Sequence, residues 1–169
     1  LARLPRMSAT VGELLARADE WIAADPDAAT DEHLAAVAAA VRDGGDPVEL
    51  ADLMGHRLAF GTAGLRGEMG PGTNRVNQLM ARQTAAGLAR TLTTRVGDAG
   101  HRGVLVGHDA RHGSARFARD IVDVLEGAGV PAVLVDGPQP TPLVAWGVRH
   151  LDCAAGVVVY LTWALRLRR

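Results

Sequence analysis

Arg66 stands between Gly64 and Gly67 in the stretch LAFGTAGLRGEMGPG, residues 58–72, which carries five glycines in fifteen residues. A guanidinium offers five N–H donors in a fixed fork that matches the oxygens of a phosphate. Glycines beside it let a ligand come close and leave backbone N–H groups free to help. The same glycines also suit a tight connection at positive φ with no ligand at all. The spacing leaves both readings open. The stretch is not a P-loop, because no Gly-Lys-Ser/Thr follows it.

The second stretch with chemical potential is VGHDARHGS, residues 106–114. It lies between an apolar strand pattern and a helical pattern, at the strand edge where open α/β sheets bind ligands, and the helix start beyond it favours anions. Arg111 is a second candidate phosphate ligand or else one half of a structural ion pair. Asp109 and Ser114 read as turn and helix-cap residues, with His108 and His112 solvated. His101, His108 and His112 have no acidic cluster or ligand spacing around them, so no metal site is expected. Cys153 reads as a small core residue, and Trp21 and Trp146 as core residues on helix faces.

The elements that must position these loops follow from periodicity and punctuation. Thr10-Val11-Gly12-Glu13 has the form of a capping box ahead of the apolar stripe Val11, Leu14, Leu15, Ala18, Trp21 and Ile22. Thr30 is expected to cap a second helix that Gly44-Gly45 stops. Asp46-Pro47 opens a third, with Pro at its first position, running to about Met54. Leu58-Ala59-Phe60 can be a short strand, and Gly61 to Gly72 is loop. A long helix is expected from Asn77 to about Arg95. Then strands at 103–107, 131–135 and 154–159 alternate with helices that Ser114 and Pro140-Thr141-Pro142 open. Alternation of this kind predicts an α/β fold: a three-layer α/β/α sandwich with a mixed, largely parallel sheet, preceded by an N-terminal helical segment.

Composition excludes several classes. Apolar residues are 48% of the 169, enough for a core and too many for a disordered chain. A formal net charge of -1 gives no footprint for nucleic acid or an anionic membrane. One cysteine excludes an internal disulfide framework and fits a cytoplasmic setting. All 18 basic residues are arginine, which suggests a GC-rich coding sequence.

The order of these motifs resembles the α-D-phosphohexomutase superfamily, on the side of phosphoglucomutase, phosphomannomutase and phosphopentomutase. The resemblance is carried by Phe60-Gly61-Thr62-Ala63-Gly64-Leu65-Arg66-Gly67, Asn74-Arg75-Val76-Asn77, Val106-Gly107-His108-Asp109-Ala110-Arg111, Pro140-Thr141-Pro142-Leu143-Val144 and Ala154-Ala155-Gly156-Val157-Val158-Val159. It implies a domain plan of N-terminal helices to residue 55, an incomplete domain I over 56–159, and a tail over 160–169 foreign to the family. It implies intramolecular phosphoryl transfer on a hexose or pentose phosphate, with Arg66 beside a phosphoserine and Mg²⁺ as cofactor. The family's metal ligands lie in later domains that this sequence does not contain, and a separate chain could supply them.

The resemblance breaks after Val159. The family continues with a serine loop, Thr-Ala-Ser-His-Asn-Pro, where this chain reads Tyr160-Leu161-Thr162-Trp163-Ala164-Leu165 and then alternates Arg and Leu. Ser8 and Ser114 are its two serines, and neither matches the nucleophile, so no catalytic residue is assigned. The tail resembles GC-rich DNA read out of frame. The expectation is a mutase fragment without activity of its own, the alternative being a non-catalytic sugar-phosphate binding module. Losing the segment that completes the family's domain I leaves apolar surface uncovered. At about 25 cal/mol per Å², a few hundred Å² costs several kcal/mol, which is comparable with a domain's whole stability. A thermal melt is therefore expected to show a low or broad transition with aggregation; a sharp, reversible transition of a monomer would refute this.

Overall fold

A computed structural model describes residues 9–62, 64–111 and 113–160. The sequence expectations for Ser8, Ala63, His112 and residues 161–169 lie outside the described residues. The chain divides into two compact units, Leu1–Met80 and Ala81–Arg169.

In the first unit, α1 (Val11–Ala24), α2 (Ala28–Arg42) and α3 (Val48–Met54) pack on one another. Their apolar stripes meet in one core of Leu14, Ala18, Trp21, Leu34, Ala38, Val41, Leu50, Leu53 and Met54, with Leu79 joining from further along the chain. The capping box at Thr10 forms as the sequence indicates: the Thr10 hydroxyl accepts from the Glu13 N–H, and the Glu13 carboxylate accepts from the Thr10 N–H at 2.7 Å. Thr30 does not cap α2. Asp27 does, accepting from the Ala29 N–H at 3.2 Å, so the helix starts earlier than expected. Thr30 instead donates to Asp25 and to the Asp27 carbonyl. Pro47 sits at the cap of α3 rather than at its first turn.

Next come β1 (Phe60–Gly61) and β2 (Gly64–Leu65), an antiparallel pair forming a small sheet of its own with Phe60 opposite Leu65. These strands fall partly within Gly61 to Gly72, where the sequence predicts loop alone. The helix α4 (Gln78–Arg95) then begins one residue after Asn77.

The second unit is built on three parallel strands: β3 (Val104–His108), β4 (Ala132–Leu134) and β5 (Ala155–Val159), in the order β4-β3-β5. The central strand β3 is buried at every position, as expected where both faces are covered. A four-residue helix, α5 (Ala99–Arg102), precedes it, and α6 (Ser114–Gly127) and α7 (Thr141–His150) form the crossovers. α6 packs on all three strands and α7 on β3 and β5. β4 is shorter than the expected 131–135: Pro131 has no N–H for the ladder, and its carbonyl takes the Val104 N–H at 2.8 Å instead.

The seat of α7 depends on missing side chains. A Cβ on Gly107 would stand 2.4 Å from Val144 Cγ2, and one on Gly147 would stand 2.7 Å from Leu105 Cδ2. Helix and strand therefore approach closely along the Val144 and Gly147 edge of the helix. That rotation turns Trp146 outward, 58% exposed, which corrects its assignment to the core. Its ring stacks on His150 with centroids 4.3 Å apart. Trp21 and Cys153 are buried as expected. Across the unit, Arg82 on α4 holds the buried Asp120 of α6 through Nε and Nη2, at 2.9 and 2.7 Å.

The Thr10 backbone N–H first, and then its hydroxyl, hold the Glu13 carboxyl below its ordinary range. A group whose pKa is lowered by folding stabilises above its unfolded value and stops doing so as pH falls through its folded value. The melting difference between the parent chain and Glu13→Ala should thus be full at neutral pH and vanish on acidification below the ordinary glutamate range. A difference that persists in acid would contradict the capping assignment.

Candidate functional site

Arg66 follows β2 directly and is exposed. Among the described residues its guanidinium has no ion-pair or hydrogen-bond partner. Gly64, at φ 91°, makes the turn that a side chain would strain. Gly67 lies against Leu58, where an added Cβ would come within 2.7 Å of Cδ2. The structure therefore keeps Gly64, Arg66 and Gly67 together on one exposed loop.

The rest of that loop is strapped down. The Leu58 N–H donates to the Thr73 carbonyl at 3.1 Å, and the Thr73 hydroxyl to the His56 carbonyl at 2.7 Å. Asn74 binds α3 twice, through its N–H to the Leu53 carbonyl and its side-chain amide to the Asp52 carbonyl. Gly72, at φ 88°, presses on the same helix so closely that a Cβ would lie 2.6 Å from the Leu53 carbonyl oxygen. Arg75 is the opposite of Arg66. It is mostly buried and paired with Asp52, and Glu68 lies 3.8 Å from its Nε.

Arg111 belongs to the other unit, in the turn after β3. Asp109 organises this turn. Its Oδ1 accepts from the Arg111 N–H at 3.1 Å and from the Ser114 hydroxyl at 2.5 Å, and its Oδ2 accepts from Arg111 Nη1 at 2.7 Å. Arg111 thus has a carboxylate partner, one of the two readings its position allowed. Ser114 is fully buried at the first position of α6, and Gly113, at φ 87°, is the cap; this corrects the assignment of Ser114 as the helix cap. His108 is buried rather than solvated, with Nδ1 2.8 Å from the Asp109 carbonyl oxygen. The turn is joined to the sheet edge by the Asp109 N–H on the Val159 carbonyl and the Gln139 N–H on the His108 carbonyl.

Among the described residues no group of three or more His, Cys, Asp or Glu side chains could hold a metal ion. No helix among them is long and apolar enough to cross a membrane.

The sequence reading missed the residues that shape the Arg66 loop. Asn77 was legible in part, since an Asn ahead of a helical pattern is a cap signal. Nothing in the spacing signals that Arg75 pairs with Asp52, because the two meet only once the loop has folded on α3.

Comparison with known proteins agrees with this architecture. The family profile described as phosphoglucomutase/phosphomannomutase, alpha/beta/alpha domain I, matches residues 57–161. The chain belongs to this family, within the α-D-phosphohexomutase superfamily, and the matched part is its domain I. A mouse phosphopentomutase is 37% identical over 146 residues, covering 83% of this chain and 23% of the relative. A probable phosphoribomutase of Schizosaccharomyces pombe is 38% identical over 141 residues, again covering 83% and 23%. A phosphoglucomutase of Staphylococcus saprophyticus is 37% identical over 102 residues, covering 60% of this chain and 18% of the relative. The chain thus spans less than a quarter of the length of these relatives. The first two matches are too long to fit between residue 57 and the last residue, so they take in part of the N-terminal helices. No solved structure matches the chain.

Gly72→Ala should cost about 2 kcal/mol or more, from a left-handed backbone with a side chain and from the clash with the Leu53 carbonyl. Gly87→Ala, on α4 with nothing within 4 Å of the new Cβ, should be neutral or stabilising. Equal melting temperatures for the two variants would contradict the described loop.

Proposed function

We propose that this chain is domain I of a sugar-phosphate mutase, and that its part in the reaction is to hold a phosphoryl group at Arg66. The contrast between the two arginines of the loop carries this reading. Arg75 is mostly buried and its charge is met by Asp52, whereas Arg66 is exposed, without a partner among the described residues, on a loop tied to α3. A fixed cation without a counter-charge, flanked by glycines, is suited to an anion with several oxygens. In phosphoryl transfer the work left to the protein is positioning and neutralising charge, and Arg66 supplies both. Gly64 and Gly67 keep the approach to it clear.

The substrate class we assign is a pentose phosphate. Two matches that reach into the N-terminal helices are to a phosphopentomutase and a probable phosphoribomutase, while the Staphylococcus saprophyticus phosphoglucomutase match covers less of the chain. Residues 1–169 are not expected to turn it over by themselves. Ser114, the one described serine, is buried with its hydroxyl on Asp109. The described residues offer Mg²⁺ no ligand cluster. The free guanidinium also favours a second reading, a module that binds sugar phosphate without chemistry. The cytoplasm is the compartment in keeping with one reduced cysteine.

Titration of the full chain with ribose 5-phosphate tests the site. Arg66→Ala should weaken binding at least about tenfold, the loss of roughly one charge-assisted hydrogen bond or more, and should flatten the salt dependence. Unchanged affinity would sink the assignment. The interconversion of ribose 1- and 5-phosphate should be undetectable, and phosphoserine at Ser114 after incubation would overturn the inactive reading. DNA read in three frames beyond the Val159 codon separates the two functions. A frame opening with Thr-Ala-Ser-His-Asn-Pro supports the mutase fragment, and a sound frame without it supports the binding module.

A further inference from the structure

The loop that carries Arg66 ends at Asn77, which is 2% exposed. Its side-chain amide serves three backbone groups closely, with a fourth, the Arg75 carbonyl, at 3.5 Å from Nδ2. Nδ2 donates to the Gly70 carbonyl at 2.9 Å and to the Gly72 carbonyl at 2.8 Å. Oδ1 accepts from the Met80 N–H at 2.8 Å, which caps the first turn of α4. A carboxamide has two N–H donors and one acceptor oxygen on a short stem, and this site uses both kinds of group. Aspartate would retain the acceptor and turn a carboxylate towards two carbonyl oxygens. Serine would still cap the helix but is too short to reach both carbonyls.

We propose that Asn77 is the positioning residue of the Arg66 loop, fixing through Gly70 and Gly72 the shape in which Arg66 is presented. This rests on the reading of Arg66 as a phosphate ligand. The mechanical path is short. Glu68 and Gly70 are paired with Val76, the Val76 N–H donating to the Glu68 carbonyl at 2.8 Å and the Gly70 N–H to the Val76 carbonyl at 3.2 Å. Holding Gly70 and Gly72 against Asn77 therefore holds residues 68–70, which start two positions after Arg66. The stretch before Arg66 is tied to the same segment, the Leu58 N–H donating to the Thr73 carbonyl at 3.1 Å, and Gly67 lies against the Leu58 side chain. Arg66 lies between these anchored positions. The Asn77 side chain bonds to backbone groups of Gly70, Gly72 and Met80 and not to Arg66, so its effect on binding is through the loop.

Two variants that keep the helix cap separate this role from general stabilisation. In the full chain, Asn77→Ser and Asn77→Asp should speed amide exchange at Gly70 and Val76 by about tenfold or more, the factor expected from losing two hydrogen bonds. The Met80 amide and the amides of α1 and α2 should keep their protection, and ribose 5-phosphate affinity should fall at least about fivefold. Three results would overturn the proposal: unchanged exchange in the loop, a rise equal to that in α1 and α2, or a loop that opens while affinity is unchanged. If the parent chain shows no phosphate-dependent shift of the Arg66 side chain, the phosphate reading fails by itself. The exchange pattern still decides whether Asn77 holds the loop.

Discussion

A segment with a glycine at every second or third position has no shape of its own, and everything around Arg66 depends on supplying one. Glycine loses more backbone freedom on folding than any other residue, so order here must come from outside the segment. α3 provides most of it: its carbonyls at Asp52 and Leu53 take the side chain and N–H of Asn74, and its Asp52 carboxylate takes Arg75. The N-terminal helices are thus the foundation of the loop that carries Arg66. This accounts for the loop falling in the same compact unit as those helices rather than with the parallel sheet.

The second unit reaches order by a different route. β3 is buried along its whole length and takes a parallel neighbour on either side, and α7 is drawn tightly onto it at Gly107 and Gly147. What emerges at the end of β3 is a turn governed by one carboxylate. Asp109 gathers the Arg111 backbone and guanidinium and the Ser114 hydroxyl, and the arginine there is a member of the turn as much as a candidate ligand. The two loops thus hold their arginines differently: Arg111 is met locally by Asp109, whereas Arg66 has no partner among the described residues.

Much of the architecture was legible in the sequence because it rests on local rules. The capping box at Thr10, the glycine stop after α2, the proline-led start of α7 and the three apolar strands each follow from residues near one another in the chain. Failures came where two residues of similar propensity competed or where tertiary packing decided. Asp27 and Thr30 are both good caps, and the helix took the earlier. Trp146 looks like a core residue by size, but the glycine-lined contact with β3 rotates α7 so that Val144 and Gly147 face inward. Of the candidate site, the identities of Gly64, Arg66 and Gly67 were visible as a pattern. The supports that set their geometry were not, because Thr73 with His56 and Arg75 with Asp52 are long-range pairings that no local spacing encodes.

The close contacts at Gly72 and Gly107 have a genetic consequence. Every amino acid reached from a glycine codon by a single base change carries a Cβ. At Gly72 that carbon meets a backbone carbonyl, and at Gly107 it meets the methyl of a buried valine. These codons have no conservative missense neighbour, so their variation in a population should be confined to the silent third base.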